Sequence, residues 1–340
     1  MQNTADITAL IRQRRTRNFA LPFALCFLLF MLLSAVLIGW KPLQLSIATI
    51  FLFAGPHNWV EFRYFLARMP RRWGRSKTFF TVALGGVGFL TVSFLTLYWL
   101  GSSWYLNEDA WAFGISCWNT LLLMWICVLV WLRGKQSSKR DWSWIFAVGF
   151  AVSAFAWVAP LWFSLALVYI HPFIAMWFLD RQLKRTLPQW RSAYHLCLAA
   201  LPLMLVVMWT LTANSPNLPE TNELSWRIVH HAGAGILTNV STHLLVSTHV
   251  FLETIHYGVW IVLIPIVGYK AGIFETKKIP LAIDREGFPK TVTTVLAIGV
   301  FIVLALWICF FANYTTTRDI YFALAIAHVL AEAPFLIRLL

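Results

Sequence analysis

Glu61, Glu253 and Glu332 each stand inside a long apolar run, and each has a histidine four residues earlier: His57, His249 and His328. Eight Glu and nine His scattered over 340 positions would give about 0.2 such pairs by chance. Positions i and i+4 of a helix lie about 40° apart, so imidazole and carboxylate reach into the same space from adjacent turns. His256, three residues after Glu253, adds the Glu-x-x-His step used in di-iron carboxylate bundles. A carboxylate in hydrocarbon costs several kcal/mol and is a functional candidate for that reason. The chemistry that fits is metal binding. The expected ligands are His57, Glu61, His171, His249, Glu253, His256, His328 and Glu332, with catalytic roles falling to Glu61, Glu253 and Glu332. Imidazoles with several carboxylates suit non-haem iron, as one ion or two. They suit manganese or zinc less well and argue against soft copper. No separate organic cofactor site is expected.

The elements that must hold these groups are membrane helices. Ten apolar stretches approach or exceed the roughly 17–25 residues that a bilayer crossing needs: about 20–40, 43–66, 78–100, 111–132, 142–158, 160–180, 194–213, 240–268, 288–312 and 318–338. The second, sixth, eighth and tenth run in the same direction. His57, His171 and His328 precede Arg68, Arg181 and Arg338 by 11, 10 and 10 residues, which at 1.5 Å per residue puts all three ~15 Å from one boundary. His256, 14 residues before Lys270, lies at a similar or slightly greater depth. Four histidines at matched depth on parallel helices can converge on one site.

Composition agrees. Hydrophobic side chains make up 59% of the chain and charged ones 12%, against about 25% charged in soluble proteins. The net charge of +13 does not signal nucleic acid, because its location explains it. Of the 27 Lys and Arg, 23 fall in six segments on one side of the predicted spans, only Lys41, Arg227 and Arg318 fall opposite, and Arg63 lies near a helix end, the distribution of the positive-inside rule. The predicted fold is therefore an all-α polytopic membrane bundle of about ten helices, with both termini cytoplasmic. It forms one integral membrane domain, with residues 1–19 as a basic cytoplasmic segment and 20–340 as the bundle. The expected location is the bacterial inner membrane. Residues 223–268 are too long for one crossing, which predicts an interfacial or re-entrant piece carrying His230 and His231, broken around Gly233 and Gly235. The five cysteines stand singly in apolar runs and read as small buried hydrophobes, without a disulfide frame.

Other residues read more plainly. His195, beside Arg191, is placed at the interface. His243 points about 120° away from His249 and falls outside the cluster. His230 and His231 either line an entrance or donate ligands. Most of the 19 Trp are assigned to interface belts and core. Pro56 and Pro172 flank candidate ligands and either free carbonyls or kink their helices. A proton-coupled transporter would use the same His/Glu pairs as protonation sites, and a bis-histidine haem protein would use matched histidines but leave the three Glu unexplained.

The stretch Gly55-Pro56-His57-Asn58-Trp59-Val60-Glu61 resembles the Pro-His-Gly-x-x-Asp signature of the Brp/Blh family, and His249-x-x-x-Glu253-x-x-His256 loosely echoes that family's later His-x-x-x-His helix. Asn58 replaces its Gly, Glu61 replaces its Asp, and its His-Phe-Gly segment has no counterpart. Members of the family are multi-span membrane proteins associated with oxygen-dependent cleavage of β-carotene to retinal at an iron centre. The resemblance implies an intramembrane non-haem iron dioxygenase acting on a carotenoid or another lipid. The expected partners are the bilayer, a lipophilic small molecule and a redox protein at the cytoplasmic face.

Overall fold

Runs of Leu, Phe, Val, Ala and Trp without charge leave backbone N–H and C=O groups only one another to bond, and the α-helix pairs them within a single segment. The computed structural model describes residues 19–70, 72–102, 106–136, 141–269, 275–283 and 287–338, and among them it contains helices and no strand. In chain order these are α1 (Ala20–Trp40), α2 (Pro42–Arg68), α3 (Lys77–Ser102), α4 (Glu108–Lys135), α5 (Ile145–Val158), α6 (Pro160–Thr186), α7 (Arg191–Thr212), the short α8 (Glu223–His231), α9 (Thr242–Tyr269), α10 (Pro289–Ala312) and α11 (Tyr314–Arg338). All ten expected apolar segments are helical. Among the described residues, eight helices are long and apolar enough to cross a bilayer. The other two are α2, which is long but carries His57, Asn58, Glu61 and Arg63 through its second half, and α5, which has only 14 residues. Most of the basic leader (1–18), and Arg71, Lys139, Arg140, Lys270 and Arg285 of the charge pattern, lie outside the described residues.

The long stretch before α9 breaks as its composition predicts. Asn222 caps α8 by accepting from the Ser225 amide, and Gly233, with φ of 101°, turns the chain in a conformation that side chains resist. Inside α9, residues Val259–Leu263 form a π turn, which the sequence did not suggest. The cysteine expectation needs correcting. Cys127 and Cys197 are buried, but Cys26 and Cys309 lie exposed on outward helix faces, where an apolar thiol is as acceptable as a methyl group if that face meets lipid.

The described residues divide into two compact units. The first draws on Met1–His57 and Ala175–Phe274, the second on Asn58–Ile174 and Glu275–Leu340, so the division falls within α2 and within α6. In the first unit α9 is the central helix, with nearly every residue from Leu245 to Tyr257 buried. It packs on α1 and α7. The buried stripe of α1 (Phe23, Phe27, Met31, Ser34, Ile38) has helical spacing, and Tyr194 of α7 donates its hydroxyl to the Met176 carbonyl at 2.7 Å. In the second unit α3 packs against α4 and α11, α4 against α5, and α11 also against α10. Here indoles join helices: Trp118 donates to the Leu90 carbonyl and Trp125 to the Val82 carbonyl, each at 3.0 Å. Gly86 leaves the room that the Trp125 ring occupies.

Candidate metal centre

In the second unit two helices bring three ligand-type side chains together. His328 and Glu332 stack on one face of α11, and His171 reaches them from α6. His171 Nδ1 lies 3.1 Å from Glu332 Oε2, and His171 Nε2 lies 3.4 Å from His328 Nε2. An Nδ1 proton directed at the carboxylate would leave His171 presenting its Nε2 lone pair to the second imidazole. Two ring nitrogens so close need a proton or a cation between them. Glu61 of α2 joins from the same unit, with a carboxylate oxygen and a His328 ring nitrogen within 4.8 Å of each other.

Glu61 is the most telling member. It is 1% exposed, and neither carboxylate oxygen meets a hydrogen-bond donor among the described residues. Glu332, 0% exposed, is its electrostatic neighbour. A buried charge without a partner costs several kcal/mol, and a second carboxylate beside it adds repulsion. A divalent cation would satisfy both, so the residues present fit a metal.

Around Glu61 the helix is pinned. Asn58 donates to the Tyr321 hydroxyl at 3.4 Å, and the Trp59 indole donates to the Leu296 carbonyl of α10 at 3.1 Å. Trp59 lies against Gly299, where a Cβ would come within 2.7 Å of the ring. These supports were missed in the sequence, where Trp59 read as one belt or core tryptophan among many.

In the first unit His57 and His256 face each other, with ring centroids 5.4 Å apart and ligand nitrogens within 4.8 Å. His57 Nδ1 sits 3.0 Å from the Phe53 carbonyl. A carbonyl only accepts, so Nδ1 carries the proton and Nε2 is left as the metal-ligating nitrogen. Tyr257 packs 4.5 Å from the His57 ring and donates its hydroxyl to Glu253 Oε1 at 3.3 Å. Tyr257 stands four residues after Glu253 and so on the carboxylate's face of α9, a role its residue type alone does not announce. His249 and Glu253, expected as ligands, pair with each other at 3.7 Å, and His231 of α8 sets its ring 5.0 Å from His249.

The remaining histidines have other partners. His243 bonds the Gly39 carbonyl at 2.8 Å, in keeping with its place off the cluster. His195 bonds Asp180 at 2.8 Å beside a bidentate Arg191, an ion-pair group that had not been anticipated. His230 stacks on Trp226 at 4.2 Å and lies 3.8 Å from Glu220.

The helices that carry candidate ligands share a local irregularity. Pro56 precedes His57, Pro172 follows His171, Pro334 comes two residues after Glu332, and the π turn begins three residues after His256. A proline lacks the N–H for one i to i−4 bond and a π turn shifts the bonding to i−5, so each device interrupts the regular ladder near a candidate ligand. Pro202 of α7 shows that proline alone does not mark a ligand.

Compared with family models, curated proteins and solved structures, the chain matches none.

Proposed function

We propose that this chain is a multi-pass integral membrane metalloenzyme whose buried histidines and carboxylates hold non-haem iron, as one ion or two, to oxidise or cleave a lipophilic substrate, with a carotenoid as the first candidate. The observation that carries this reading is Glu61, a fully buried carboxylate without a donor, among Glu332, His171 and His328. In the second unit those four residues are the proposed ligands. His57 and His256 are the imidazoles of the first unit, and His57 precedes Glu61 by one helical turn on the same face. Iron bound there would supply the oxidising chemistry toward dioxygen. The chain's own residues do the rest: Glu332 holds its carboxylate beside His171 Nδ1, the Phe53 carbonyl fixes the tautomer of His57, and buried apolar walls keep water away. The substrate class rests on the resemblance around Pro56-His57.

The same reading keeps ten crossings, with α2 and α5 among them, both termini in the cytoplasm and an inner-membrane location. The substrate would arrive laterally from the bilayer, and a redox partner would dock on the basic cytoplasmic face. Elemental analysis and the optical spectrum of the purified full-length protein test the core of it. Stoichiometric iron without a Soret band is expected. A Soret band would mean haem instead, and protein devoid of metal would leave the His/Glu pairs as protonation sites of a carrier.

A further inference from the structure

Apart from the facing imidazoles of His57 and His256, one set of polar side chains in the first unit follows a line along α8 and α9. Glu220 and His230, 37% and 38% exposed, lie 3.8 Å apart at one end. His231, the next residue of α8, meets His249 ring to ring at 5.0 Å. His249 and Glu253, whose side chains are 8% and 13% exposed, follow at 3.7 Å, and Glu253 bonds Tyr257 at 3.3 Å, beside the buried His57. The two ends differ in exposure, from over a third at Glu220 and His230 to 1% at His57, with His249 and Glu253 between them in value.

A divalent ion bound for a buried site must shed its water, and in an apolar bundle it cannot do so in one step. It needs donors along the way that bind well enough to replace part of the hydration shell and weakly enough to let go. Glu220 with His230, and His249 with Glu253, each offer only two donors. Fewer donors than a full coordination shell mean weaker chelation and faster exchange, which suits stations that an ion passes through.

We propose that Glu220, His230, His231, His249 and Glu253 form a loading track for a divalent metal ion, leading from α8 along α9 to His57; this rests on the metal-binding reading above. A track residue differs from a ligand in a way that can be measured. By microscopic reversibility, a residue on the path but not at the destination changes uptake and release by the same factor and leaves the equilibrium affinity untouched.

The test uses metal-free full-length protein in phospholipid nanodiscs and Co(II) as the probe. Uptake is followed by the visible absorption of the bound ion, and release is followed after addition of EDTA. His231→Ala on the half-buried helix α8 and the isosteric Glu253→Gln are the variants, so that a folding defect in one does not decide the matter. Each is expected to slow both uptake and release about tenfold, which is ~1.4 kcal/mol of barrier, with final stoichiometry and Kd equal to wild type. Unchanged rates in both variants would overturn the track. A fall in stoichiometry or affinity would overturn it in another way, by making these residues ligands. Wild-type protein that binds no cobalt would overturn the metal reading itself.

Discussion

His328–Glu332 on α11 and His249–Glu253 on α9 are the same two side chains at the same spacing, yet they end in different company. The first pair is met by His171 from a second helix at 3.1 Å and 3.4 Å, with Glu61 from a third. The second pair is met by a tyrosine hydroxyl and by the edge of another histidine. The spacing puts an imidazole and a carboxylate on one face, and only the helices opposite that face decide whether the pair becomes part of a cage. Two donors four residues apart make a weak chelate, and the extra donors must come from elsewhere in the chain.

The difference can be broken most directly through metal content. Glu332→Ala is expected to take the purified protein from stoichiometric metal to none, while His249→Ala keeps full stoichiometry at equilibrium; elemental analysis of both variants side by side reads this. Retention of metal in Glu332→Ala, or its loss in His249→Ala, would reverse the assignment of the two pairs.

A sharper and smaller effect concerns stability. Glu61 is buried without a donor, so Glu61→Gln removes a potential charge while keeping the shape. It is expected to raise the stability of the metal-free protein by about 1–3 kcal/mol, the desolvation cost of an unsatisfied buried group, while abolishing metal binding. Thermal unfolding of the metal-free variant should then start at higher temperature than that of the metal-free wild type. Glu253→Gln, whose partner is the Tyr257 hydroxyl, should give no such gain. The last expected effect, of the same size but opposite sign, lies in the helix supports. Gly299→Ala puts a Cβ against Trp59 and should cost about 1–3 kcal/mol as an overpacked contact. It should also weaken metal binding, because Trp59 holds the turn of α2 that carries Glu61.

Much of this arrangement was legible in the chain. Hydropathy placed every long helix, because an apolar run of that length has few alternatives to spanning or burial. The Gly233 break was readable because positive φ suits glycine. The three His/Glu pairs were readable because helical spacing is local. Which pair acquires partners was not, since the approach of His171 to His328 spans 157 residues and leaves no trace in either segment. Tyr257, Trp59 and Asp180 were hidden for a different reason. Each is a residue type with an ordinary structural role in such a bundle, and only its contact gives it another.

The π turn in α9 is, in effect, an α-helix holding one residue too many. Trp260 within it is fully buried and packs 5.6 Å from Phe178, while Val262 faces outward at 48% exposure. One added residue rotates everything beyond it by about 100° relative to what precedes it. The His249–Glu253–His256 face and the last turns of α9 are thus indexed separately, as if the helix had been cut and rejoined out of phase.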